Sequence, residues 1–167
     1  MEIRLSGIIK ESIVDGPGIR YVVFTQGCPH HCEGCHNPDT HDFDGGYIGN
    51  TEEIIKDFQK NPLLSGITFS GGEPFCQPEP LLKLAKEVHN LKKNVISYSG
   101  YTFEELLKLS KKNQAIKDLM ENIDYLIDGK FILSQKTLML KFRGSKNQRI
   151  IDMKKSLEVS EAQIAEL

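Results

Sequence analysis

Eight residues, Cys28-Pro29-His30-His31-Cys32-Glu33-Gly34-Cys35, constrain this chain more than any other stretch. The Cys-x3-Cys-x2-Cys spacing lets one short loop aim three sulfurs at a common centre, which suits a metal or a metal cluster. A disulfide is the weakest reading in a reducing compartment. A Cys3His zinc site would take His36, His30 or His31 as its fourth ligand. Structural zinc sites usually draw two ligand pairs from separate knuckles, whereas here three cysteines share one loop and Cys76 is remote. An iron–sulfur cluster suits an all-thiolate set. Three cysteines would leave one iron of a 4Fe-4S cluster without a protein ligand, and that vacancy asks for an explanation elsewhere in the chain.

The chain of 167 residues is 39% hydrophobic and 26% charged, which fits one soluble domain, residues 1–167, with a proper core. The net charge of −2 gives no reason to expect a nucleic-acid or membrane partner. No apolar run approaches the ~20 residues needed to cross a bilayer. The first residues lack a signal-peptide pattern, so the expected location is cytoplasmic.

Residues 3–9 and 20–25 read as strands, the second rich in β-branched and aromatic residues. Between them Asp15-Gly16-Pro17-Gly18 marks a tight turn. The cysteine loop, residues 27–37, follows the second strand directly. An irregular loop continues to a helix start at Asn50. Strands over 66–70, 95–98 and 125–127 alternate with helices over about 78–90, 102–109 and 115–122. Residues 148–152 suit a last strand, and the tail from about 153 reads as peripheral. The strand–loop–helix rhythm predicts an α/β fold with a parallel sheet. In such a sheet the strand ends gather on one edge, where α/β folds place their chemistry.

One of those ends is Gly71-Gly72-Glu73-Pro74. Glycines there admit a ligand close to the backbone. Free N–H groups would bind a carboxylate, and Glu73 would accept from an ammonium. Together they suit the zwitterionic end of an amino acid, although a plain turn with a solvated Glu is the better reading of the stretch taken alone.

The cysteine spacing and Gly-Gly-Glu-Pro together resemble the radical S-adenosylmethionine superfamily. Asp15-Gly16-Pro17-Gly18-Ile19-Arg20, Gly27-Cys28 and Cys35-His36-Asn37-Pro38 are similar, in order, to the activating enzymes of glycyl-radical enzymes. The Tyr98-Ser99-Gly100-Tyr101-Thr102 stretch and residues 143–149 look most like activators of anaerobic ribonucleotide reductase. The resemblance runs to about Ile151.

That resemblance implies an incomplete (β/α) barrel of about six parallel strands, since a full barrel usually needs ~250 residues. It implies that Cys28, Cys32 and Cys35 ligate a 4Fe-4S cluster whose fourth iron takes S-adenosylmethionine. Gly71, Gly72 and Glu73 would hold the methionine end, Gly34, Cys35 and His36 would lie beside the adenosine, and Ser99, Asp128 and Lys130 would join the cofactor contacts. Asp15, Gly16, Pro17, Gly18, Arg143 and Arg149 would face the partner. The implied partner is a glycyl-radical enzyme, the large subunit of anaerobic ribonucleotide reductase, with a flavodoxin or ferredoxin as electron donor. Two rivals remain: an activase of pyruvate formate-lyase, and a non-catalytic zinc or iron–sulfur protein that binds a partner. Cys76 reads as a small buried hydrophobe, and His30 and His31 as solvent-facing or supporting groups.

Overall fold

A computed structural model describes all residues, 1–167. One seven-stranded mixed sheet organises it, in the order β3-β1-β2-β4-β5-β6-β7. The strands are β1 (Glu2–Ser12), β2 (Arg20–Thr25), β3 (Tyr47–Asn50), β4 (Gly66–Gly71), β5 (Asn94–Tyr98), β6 (Tyr125–Asp128) and β7 (Arg149–Asp152). The helices are α1 (Thr51–Gln59), α2 (Pro78–Asn90), α3 (Phe103–Ser110), α4 (Gln114–Glu121) and α5 (Met153–Val159). No helix is long and apolar enough to cross a membrane.

Parallel pairing joins β2, β4, β5 and β6, so the expected run of about six parallel strands is four. β1 pairs antiparallel to both β2 and β3, and β7 pairs antiparallel to β6. Connection chemistry explains the edges. A parallel neighbour needs a crossover of about a dozen residues or more, and residues 13–19 are too few for one. Residues 129–148 are long enough but form no α-helix, and they return along the same edge. β3 falls where an irregular loop was expected. It carries Gly49 and half-exposed side chains, and β1 gives it a template.

Alternation along the strands sorts the two faces. Val95, Leu126 and Ile151 join the main core of 25 buried residues, which also takes Leu81, Leu84 and Val88 of α2 and Leu119 of α4. Their neighbours Ile96, Ile127 and Ile150 point the other way into a cluster of three. Each fully buried Leu, Ile or Phe stabilises by about 1.5–3 kcal/mol. The helix-covered face therefore carries the stability, and the opposite face is free to hold a site. Helix starts follow their caps. Asn50 accepts from the Glu52 N–H, and Thr102 with Glu105 forms the predicted capping box.

The tail is not peripheral. Met153 and Ser156 are fully buried. Beyond α5 the chain runs back along β7, where Ala165 N–H donates to Ile150 O and Asp152 N–H to Gln163 O, both at 2.9 Å.

Candidate iron–sulfur and cofactor site

The C-terminal ends of β2, β4, β5 and β6 open onto a cavity of about 910 Å³ on the face without helices. Cys28, Cys32 and Cys35 all line it, with Gly71, Gly72 and Ser99 opposite. Its volume is in the range of ordinary cofactor pockets. The three thiols are free. Cys28 is buried, and burial pushes its thiol up from the usual value, so a cation must displace that proton. The loop is fastened to the chain behind it. Gly27 N–H donates to Thr40 O at 2.7 Å, and Cys28 N–H to His41 O at 3.2 Å. Asn37 N–H reaches the Cys35 sulfur at 3.4 Å.

Three thiolates on one loop are the donor chemistry of an iron–sulfur cluster, in which each sulfur takes a different iron. His30, a candidate zinc ligand, is otherwise engaged.

Its partner is Glu73. That carboxylate is fully buried and takes four donors: His30 Nε2 at 2.6 Å, Gly100 N–H at 2.8 Å, Ser99 Oγ at 2.9 Å and Phe75 N–H at 3.0 Å. The other three partners are donors, so the geometry assigns the ring proton to Nε2 of His30. The His30 ring also stands edge-on to Tyr101, with centroids 4.5 Å apart. A Cβ on Gly100 would lie 2.3 Å from that ring. Glu73 therefore clasps the cysteine loop to the ends of β4 and β5, and its carboxylate is not offered to a ligand.

The expected free N–H groups at Gly72 and Glu73 are also spent. They donate to Thr25 O and Gly27 O, each at 2.8 Å. The turn's N–H groups are thus closed to a ligand carboxylate. The Gly72 carbonyl takes no protein donor. Gly71 has φ +94°, and a Cβ on Gly72 would sit 2.3 Å from Gly27 O. Only glycine permits this approach to the cysteine loop.

Other predicted residues divide. His36 lines the cavity and packs edge-on to Phe131 at 4.9 Å, whereas exposed Gly34 lies outside the lining, beside Leu133. Asp128 and Lys130 line a smaller neighbouring depression. Asp128 is buried and occupied, accepting from Phe103 N–H at 2.8 Å and from Arg149 at 2.5 Å. Arg149 also donates to Glu104 at 2.8 Å, so it braces β7 against α3 instead of facing a partner. These two carboxylates raise its already high pKa further. Arg143 and Asp15 line the cavity; the backbone of 16–18 turns behind Asp15, with Gly16 buried against Arg20. Cys76 is exposed rather than a buried hydrophobe.

Arg20 was read only as part of a motif. It is fully buried, and it donates to Thr68 Oγ1, Ile67 O and Pro17 O with no carboxylate partner. Burial pulls its pKa down to about 10. It fixes the 15–18 turn at the cavity wall. The one sequence signal was a charged residue opening an otherwise apolar strand.

A family model described as "4Fe-4S single cluster domain" matches residues 14–151. The anaerobic ribonucleoside-triphosphate reductase-activating protein of Vibrio cholerae is 35% identical over 147 residues, 83% of this chain and 90% of that one. Its counterpart in Escherichia coli K12 is 33% identical over 145 residues, 81% of this chain and 90% of that one. The pyruvate formate-lyase-activating enzyme of Clostridium pasteurianum is 43% identical over 118 residues, 63% of this chain but 48% of that one. The chain thus spans about half the length of that relative and nearly all of the other two. At this coverage it belongs to the 4Fe-4S single cluster domain family, beside the anaerobic ribonucleoside-triphosphate reductase-activating proteins among the radical S-adenosylmethionine activating enzymes.

Proposed function

We propose that this protein installs the glycyl radical of an anaerobic ribonucleotide reductase. The observation that carries the reading is the meeting of three unpaired cysteines and a Gly-Gly strand end on one cavity. Cys28, Cys32 and Cys35 would hold a 4Fe-4S cluster, leaving its fourth iron for S-adenosylmethionine. Cluster and S-adenosylmethionine, when bound, supply reductive cleavage of a carbon–sulfur bond and so the radical that takes hydrogen from a glycine Cα. The chain's own work is positional. The Gly71–Gly72 turn would hold the methionine end, with the unpartnered Gly72 carbonyl as the acceptor for its ammonium. His36 and Phe131 wall the cavity, and the Glu73 clasp holds the cysteine loop in register. No side chain is needed as a general acid or base. The four parallel strands, with helices on one face and the cavity on the other, support reading the sheet as an incomplete (β/α) barrel. A flavodoxin or ferredoxin is the proposed electron donor.

Pyruvate formate-lyase is the second candidate partner, favoured by the 43% identity over the shared region. The 90% coverage of the reductase activators, against 48% of the lyase activator, supports the first. Anaerobic reconstitution decides. The expected result is about four irons and four sulfides per chain, 5′-deoxyadenosine on reduction, and an electron paramagnetic resonance doublet on the reductase but not on the lyase. One bound zinc and no cleavage would overturn the enzyme reading; a doublet on the lyase alone would reassign the partner.

A further inference from the structure

Two loops frame the cavity mouth: the β1–β2 turn, residues 13–19, and the β6–β7 connection, residues 129–148. Five large apolar side chains of the molecule are 70% or more exposed, and four of them are on these loops: Ile13 at 76%, Val14 at 70%, Leu138 at 89% and Met139 at 91%. Single exposed apolar residues need no explanation, but four gathered at one opening do. Ile13, Val14 and Leu138 also line the cavity.

The second loop is built, not slack. Thr137 N–H donates to Gly144 O and Lys146 N–H to Gln135 O, both at 3.0 Å. The Tyr98 hydroxyl donates to Phe142 O at 2.7 Å. Its base is thus fastened while Leu138 and Met139 stand out in solvent. Its charge is one-sided. Residues 129–148 carry Lys130, Lys136, Lys141, Arg143 and Lys146 and no Asp or Glu. None of the five forms an ion pair. In a chain of net charge −2 this loop is cationic throughout, and Lys141 and Arg143 line the cavity itself, while Lys130 stands in the neighbouring depression beside Asp128.

We propose that this rim is the docking surface for the activated enzyme. It would recognise a segment with apolar side chains beside the glycine and carboxylates farther out. The inference rests on the function proposed above and adds to it the recognising loop and the chemistry it selects. Apolar tips supply the buried contact. Unpaired cations supply long-range attraction, which speeds encounter and weakens with salt. A second copy of the chain fits poorly, because a two-fold pair would set the same cationic loop against itself.

The test uses the reconstituted full chain and anaerobic ribonucleotide reductase, without oxygen. The association rate is expected to fall about tenfold or more between 50 and 300 mM KCl. A Met139→Ser, Lys136→Glu, Lys146→Glu variant, checked for native melting, is expected to raise the Kd about tenfold or more. Its partner-free reductive cleavage of S-adenosylmethionine should stay within about twofold of the parent. The proposal is overturned by an unchanged Kd, by salt-independent association, or by loss of partner-free cleavage, which would make the rim a cofactor wall. A parent chain that sediments as a dimer dispersed by the same changes would also overturn it. If the parent raises no glycyl radical on the reductase, the functional reading fails and the rates are taken on pyruvate formate-lyase. If it does, and the variant matches it at every partner concentration, the docking inference alone fails.

Discussion

Glu73 shows how one buried carboxylate can organise residues far apart in sequence. His30, Phe75, Ser99 and Gly100 all donate to it. Charge-assisted hydrogen bonds contribute about 1.5–3 kcal/mol each, and an orphaned buried donor costs more than a lost contact. Glu73→Gln keeps the volume but turns one acceptor into a donor that faces donors. The substitution should destabilise the apoprotein by about 2 kcal/mol, a drop in Tm of roughly 4–8 °C for a domain of this size. Calorimetry that found no change would show that the clasp contributes nothing. Cys28→Ser should leave Tm nearly unchanged while the reconstituted 4Fe-4S absorption is lost; full retention would refute its place as a ligand. The cysteine triad was legible because its spacing is local. The target of Glu73 was not, because its donors come from three segments that only the folded sheet brings together. For the same reason Asp128 looked available when it is already shared between a helix start and Arg149.

At the scale of elements, the β4 turn fits closely against the stem of the cysteine loop. A Cβ on Gly72 would meet the Gly27 carbonyl at 2.3 Å and Thr40 O at 3.0 Å, both rigid backbone. Gly72→Ala should therefore destabilise by about 1–3 kcal/mol and lower cluster retention, because Gly27 directly precedes Cys28. Gly7→Ala is the control, since a Cβ there meets nothing within 4 Å. Equal denaturant midpoints for the two variants would contradict this account. The central strands and caps were legible from alternation and from Asn50 and Thr102. The direction of β7 was not, because a 20-residue connection is long enough for either pairing. β3 escaped notice because Tyr47 and Ile48 are exposed and carry no buried face to announce it.

Across the whole molecule, the sheet's β7 edge is covered by the chain's own last residues. Ile151 bridges to Ile164, and Ala165 and Leu167 pack on the small cluster around Ile150. Removing residues 160–167 should expose an unpaired edge and promote self-association, a known hazard of open strands. Sedimentation velocity that showed an unchanged distribution would refute that role.

The anchorage of the cysteine loop has one more consequence. Its tethers are carbonyls of residues 40–41 and the carboxylate of Glu73, none of which involves a metal. Damage to the inorganic centre and damage to the polypeptide are thereby uncoupled. Air that strips the iron should leave a folded, empty receptacle, which thiol reduction and fresh iron and sulfide can refill. The fragile part is a replaceable insert in a durable holder, so exposure to oxygen interrupts the protein's service without ending it.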